Sequence, residues 1–211
     1  MITEPSTLVT DYLLATLCLW LAWRLRARPL AAHRRAVRLF SAALAATAAG
    51  SFAGGTYHGF KIVLSDGVAG AIWTTSTIAI GAAACLLLSA VLTAGVREPA
   101  RRWLLVAVWG QFAAYALWML QHDEFVNVII EYGSALLIIA LLYLGLPTLR
   151  YHRSARWIIA SIVVTIAAAA VQQSGIDVHV YLNHNDLQHL IQMIAVALLY
   201  KGGAELRDAV G

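Results

Sequence analysis

An all-α bundle of seven transmembrane helices, N-terminus outside and C-terminus in the cytoplasm, is the fold class this sequence predicts, and three observations predict it. Of the 211 residues, 61% are hydrophobic and only 12% charged, with mean hydropathy +0.73, so there is too little polarity to coat a water-soluble globule of this size. Seven apolar runs reach the roughly 20 residues needed to cross a bilayer's hydrocarbon. Short loops rich in Lys and Arg stay cytoplasmic, and the order of the runs places 14 of the 15 basic residues on one side. The chain, 1–211, therefore reads as a single integral membrane domain, expected to be multi-pass in the plasma (inner) membrane. Its net charge of +4 lies in loops and not along one face, so nucleic acid is not an expected partner.

The runs lie at about 8–24, 36–58, 68–95, 103–121, 125–146, 157–174 and 186–206. Met1 to Thr7 lack the basic n-region of a cleaved signal, so the first run is expected to remain as a helix. Turn and charge punctuation separates the runs: Pro29 among arginines, Asp66-Gly67, Pro99, His122-Asp123-Glu124, Pro147 to Arg156, and Gly175 to Asn185. Arg24 to Arg38 supply six basic residues, the loops at Arg97 and Arg150 three each, and Lys201 with Arg207 two, which leaves Lys61 alone on the far side. An odd number of spans with a cytoplasmic C-terminus puts the N-terminus outside. Trp20, Trp23, Trp103, Trp118 and Trp157 fall towards run ends, as interfacial anchors do. Cys18 and Cys85 sit inside apolar runs and read as small core residues, and His33 and His152, beside arginines, as surface residues.

Polar chemistry concentrates at the other end, where five of the seven histidines lie. The stretch Asn183-His-Asn-Asp-Leu-Gln-His189 opens the last run, and ionisable groups at the mouth of a membrane helix are functional candidates because placing them there is expensive. Asn185 and Asp186 suit N-cap and first-turn positions. From Asp186 to His189 is i to i+3, so the two share a helix face, and His184 just before the helix is able to fold back to the same point. His58 ends Ser51-Phe-Ala-Gly-Gly-Thr-Tyr-His58, in which Ser51 and Gly54 share its face. Zinc in a hydrolytic site takes three protein ligands and keeps one position for water. His58, His189 and a third group from His184 or Asp186 form such a set, although histidines near a bilayer surface also snorkel or bond to backbone. Glu131, with Asn127 one turn before it, is a carboxyl inside the fifth run and reads either as a structural hydrogen-bonding group or as a site-lining one.

These positions resemble the alkaline ceramidase and adiponectin/progestin receptor superfamily, also called CREST, over the whole chain as topology and at a few positions in residues. The resemblance implies a zinc held by one histidine of the second helix and two of the seventh, assisted by a serine and an aspartate, and hydrolysis of lipid amides. His58 matches the helix-two ligand, and His189, followed by Leu-Ile-Gln-Met-Ile-Ala-Val-Ala-Leu-Leu-Tyr, matches the second helix-seven ligand. The other helix-seven histidine falls at Asn185, with His184 one step earlier. The serine falls at Gly54, with Ser51 or Thr56 as substitutes, and the aspartate, which the resemblance puts about eleven residues after the helix-two histidine, has its nearest match in Asp66, eight after His58.

Three functions follow as expectations. The first is a zinc-dependent hydrolase of a membrane lipid amide or ester, with Asp186 or Asp66 managing the proton and Ser51 assisting. The second is a non-enzymatic receptor-like or small-solute transport protein. The third is a b-type haem protein with His58 and His189 as axial ligands.

Overall fold

The computed structural model describes residues 2–28, 34–179 and 181–209; the expectations for Pro29 and His33 fall outside them. The described chain is all-α. Seven helices have 20 to 30 residues: α1 (Pro5–Arg26), α2 (Arg35–Phe60), α3 (Asp66–Gly95), α4 (Ala100–Met119), α5 (Phe125–Gly145), α7 (Ala155–Ser174) and α8 (His184–Glu205). A single turn not expected from the sequence, α6 (Pro147–Arg150), follows α5, with Pro147 at its first position, where proline's missing N–H leaves no intrahelical bond unmade.

Five of these helices, α1, α2, α3, α5 and α7, are long and apolar enough to cross a membrane, which makes this a multi-pass membrane protein. The remaining two long helices carry more polarity: Arg101, Arg102 and Gln111 in α4, and the run from His184 to Gln192 with Lys201 in α8.

α1, α2 and α3 pack side by side, α8 lies on α1, α7 on α8, and α5 on α3. α5 and α7 meet sparingly and close a ring of six helices, with α4 outside it against α3. Close approach of α1 to α2 depends on glycine, since a Cβ on Gly55 would stand 2.8 Å from the Cβ of Asp11 and 2.9 Å from the Tyr12 ring.

The two ends of the bundle sort as the loop charges suggest. At the basic end the carboxylate of Asp208 accepts the first free N–H groups of α2, from Arg35 and Ala36, both at 2.8 Å, an N-terminal cap supplied from the far end of the chain. Arg34 donates to the carbonyl of Leu206 at 2.9 Å and Thr148 to that of Gly95 at 3.1 Å. The guanidinium of Arg156 and the ammonium of Lys201 lie 4.8 and 4.6 Å from the Trp157 ring. The largest apolar core, with Phe40, Leu25, Tyr143, Val91 and Leu206, fills this half. At the other end Thr3 N–H donates to the carbonyl of Gly59 at 2.9 Å and Trp73 Nε1 to that of Asp123 at 2.8 Å. There the ring is hollow.

Candidate functional site

A cavity of about 420 Å³ occupies the ring interior at the end opposite the basic loops. Its walls are amphipathic. Asp11, Ser51, His58, Ser76, His189 and Gln192 supply polar groups from α1, α2, α3 and α8, while Leu14, Ile80, Val128, Leu136 and Ile166 supply apolar ones. Ile166 of α7 is at once part of this wall and 60% exposed, so the cavity reaches the outer surface beside α7.

The polar wall is organised around His189. Its Nδ1 lies 3.0 Å from Thr10 Oγ1, and its Nε2 lies 3.3 Å from Asp11 Oδ1. Both partners come from α1, and the His189 and Asp11 side chains are only 12% and 6% exposed. Behind them Thr10 Oγ1 stands 3.4 Å from Oδ1 of Asp186, which is fully buried.

Asp186 is fixed by local sequence: the side chain of Asn183 accepts the N–H groups of Asn185 and Asp186 at 2.8 and 3.1 Å, and Asp186 Oδ2 accepts the N–H of Asn183 at 2.9 Å. This is a reciprocal capping box. It moves the N-cap of α8 to Asn183 from the expected Asn185, because Asn183 is the residue whose side chain reaches the orphan donors of the first turn. His184 thereby becomes part of the helix instead of preceding it.

His58 approaches the same cavity from α2. Its Nδ1 lies 3.0 Å from Oε2 of Glu4, and because a carboxylate only accepts, Nδ1 carries the proton. Lys61 Nζ holds the other oxygen of Glu4 at 2.6 Å. Burial opposes the charge on Glu4, but the hydrogen bond from Lys61 and the nearby His58 outweigh it and hold the carboxyl below its ordinary value of 4.5.

The structure thus brings His58, His189 and Ser51 to one cavity. It places the other sequence candidates elsewhere. His184 donates both its ring Nδ1, at 2.8 Å, and its backbone N–H, at 3.0 Å, to Asp177 Oδ1. Those bonds, the side-chain one foremost, hold Asp177 below the usual carboxylate range. Asp66 is an exposed residue of the first turn of α3. Asp186 lies behind Thr10 and does not line the cavity. Glu131 accepts from Gln111 of α4 on the side of α5 away from the cavity wall, a structural role, and Asn127 bonds the His122 carbonyl at 3.3 Å to shape the preceding turn.

Asp11 was not among the sequence candidates. A carboxyl inside an apolar run is the signal that singled out Glu131, and it applies equally to Asp11, which lies nearly two turns into α1. The supporting Thr10 and Glu4 carry no such signal, because a threonine in a helix and a glutamate before its first turn are ordinary.

Whether this set suits zinc is a question of donors and spacing. Each imidazole has Nδ1 beside an outer partner, the arrangement that presents Nε2 as a ligand. Ligands about 2.0–2.1 Å from one tetrahedral zinc stand about 3.3–3.4 Å apart, which is the separation of His189 Nε2 from Asp11 Oδ1. Among the described residues no three His, Cys, Asp or Glu side chains are gathered closely enough to grip an ion. Donor chemistry and one ligand pair fit; the third donor, His58, lines the cavity without closing on that pair.

Fold and cavity together define a helical multi-pass membrane protein with a polar pocket at one end of its bundle. The chain belongs to a family of unknown function, DUF6962, whose profile matches residues 6–208. No curated protein and no solved structure matches it.

Proposed function

We propose that this protein is a zinc-dependent membrane hydrolase acting on a lipid amide or ester, in a seven-span bundle of the plasma membrane whose cavity opens on the extracytoplasmic side. The observation that carries the reading is the amphipathic cavity itself: a histidine-rich polar wall faces apolar surface from Leu14, Ile80, Val128, Leu136 and Ile166. A polar linkage with an attached hydrocarbon chain matches that division, because sites of this kind orient ligands with a few polar groups and hold them by apolar burial. Zinc at such a site supplies a Lewis acid and a water whose pKa falls to about 7.

The chain's own residues perform the rest. Glu4 holds the His58 ring through Nδ1, and Thr10 holds that of His189, so neither imidazole has to be ordered when substrate arrives. Ser51 and Ser76 offer hydroxyls along the same wall. Leu14, Ile80 and Leu136 exclude water from around the scissile carbonyl.

The test is hydrolysis of ceramides and neutral lipid esters by purified protein. Turnover that a chelator abolishes and zinc restores supports the reading; zinc bound with no turnover on either class refutes the hydrolase. One observation favours the runner-up, a receptor-like or small-solute transport protein: the described residues hold no closed three-ligand cluster, and a ligand-binding pocket needs none.

A further inference from the structure

We infer that the cavity takes a neutral lipid, with an uncharged hydrogen-bonding head and a hydrocarbon chain, which enters sideways from the bilayer through an opening between α5 and α7 rimmed by Gly133 and Ile166. The inference rests on the lipid-binding part of the proposed function and needs neither a metal nor turnover.

The opening follows from how α5 and α7 are joined. At the basic end the hydroxyl of Tyr143 in α5 meets that of Ser154, the N-cap of α7, at 2.9 Å. Towards the cavity, side-chain hydrogen bonds tie α7 to α8 instead: Gln192 donates to Thr165 at 3.4 Å and Gln172 to Asn185 at 3.3 Å. The two helices part where they border the cavity. Gly133 of α5 and Ile166 of α7 both line it and are both exposed on the outer surface, and a Cβ on Gly133 would meet nothing within 4 Å. A wall residue reachable from outside on each of two neighbouring helices marks an opening and not a sealed seam.

Its depth decides what passes through. With 21 and 20 residues, α5 and α7 are each about 30 Å long, the thickness of a bilayer's hydrocarbon. Gly133 lies eight residues after Phe125 and Ile166 eight before Ser174, so both rim residues stand about 12 Å down from the cavity end of the bundle. That is inside the hydrocarbon, where lipid chains arrive and aqueous solutes do not.

The charges on the wall decide the head. The titratable groups that line the cavity are Asp11 of α1, His58 of α2 and His189 of α8. His189 Nε2 and Asp11 Oδ1, 3.3 Å apart, share one proton, so this carboxylate already has its counter-charge and an ammonium head would find no free one. Among the described residues no Lys or Arg lines the cavity, and a phosphate or carboxylate head would be buried without a cation, at high cost. Ser51, Ser76, Gln188 and Gln192 remain on the wall, and they supply donors and acceptors for a hydroxyl, amide or ester. A cavity of about 420 Å³ is small among ligand pockets, which run from roughly 300 to 1,000 Å³. It has room for such a head and the near part of one chain, with the rest of the chain lying in the opening.

The experiment is photolabelling of the purified protein in phosphatidylcholine nanodiscs by a monoacylglycerol that carries a diazirine on its chain close to the head, read by peptide mass spectrometry. Leu14 lines the cavity from α1 and is only 3% exposed, so label on it reports entry. Wild type is expected to be labelled at Leu14, with unlabelled monoacylglycerol competing. Gly133→Trp, which sets a ring in the open space at the rim, is expected to lose that label; Ile166→Trp, at an exposed position, makes the same test if size exclusion shows the first variant misfolded. Gly110→Trp on α4, equally open around its Cβ, is expected to keep the label. Matching alkyl phosphate and alkyltrimethylammonium probes are expected to leave Leu14 unlabelled. No label at Leu14 in wild type, label that persists in the folded rim variants, or equal label from a charged probe overturns the inference. Rim-dependent label with no turnover of ceramide or ester upholds it and refutes the hydrolase, whereas turnover with label indifferent to the rim does the reverse.

Discussion

Replacing Gly55 with alanine tests how the site is held. The added Cβ would meet Asp11 Cβ at 2.8 Å and the Tyr12 ring at 2.9 Å, well inside ordinary carbon contact of about 3.5–4.0 Å. Asp11 Cβ is bonded to the α1 backbone and cannot rotate away, so the helix itself has to move by several tenths of an ångström. Two effects oppose. Alanine gains about 0.5–1 kcal/mol over glycine in a helix interior, while overpacking a tight seam costs about 1–3 kcal/mol. The clash wins, and the net loss is about 0.5–2 kcal/mol, or roughly 2–6 °C in Tm for a chain of this size. Gly110→Ala is the matched control, because nothing lies within 4 Å of a Cβ there; only the propensity gain applies, and its Tm is expected to hold or rise. Thermal unfolding in one detergent, monitored by helix circular dichroism, reads both. The seam argument fails if Gly55→Ala tracks Gly110→Ala.

Three other outcomes are expected. Asn183→Ala removes the cap that receives two N–H groups of α8 and should destabilise by about 0.5–2 kcal/mol; an unchanged Tm contradicts the capping box. Glu4→Gln should lower Tm at neutral pH, and because the folded carboxyl lies below its ordinary value of 4.5, that contribution is present above this value and is lost as pH falls through the folded one. A difference between the two proteins that stays constant from pH 7 to acid would show that the Glu4 charge does nothing. Asp123→Cys and Arg153→Cys, both at exposed positions on opposite ends of the bundle, should label from outside and from the cytoplasm respectively with an impermeant thiol reagent; the reverse pattern inverts the proposed orientation.

The helical bundle was legible in the sequence because two coarse quantities determine it: apolar length and the side on which basic loops fall. Boundaries were less so. Asn185 and Asn183 are equally good N-cap residues by type, and the choice depends on which side chain reaches the free N–H groups, a matter of two residues that hydropathy does not resolve. The convergence of His58 and His189 on one cavity follows from antiparallel helices and similar depth, both readable from the chain. The fate of His184 does not, since Asp177 lies in a loop whose path is set only in three dimensions. Asp11 was readable in principle. Its setting was not, because the neighbours Thr7 and Thr10 are unremarkable by type and their partners, Asn183 and Asp186, each lie 176 positions away.

Zinc content of purified wild-type protein beside His189→Ala, by elemental analysis, addresses the central claim most directly. One zinc per chain in wild type and none in the folded variant is the result expected. A wild-type protein that takes up no zinc, or a variant that retains it in full, would contradict the account.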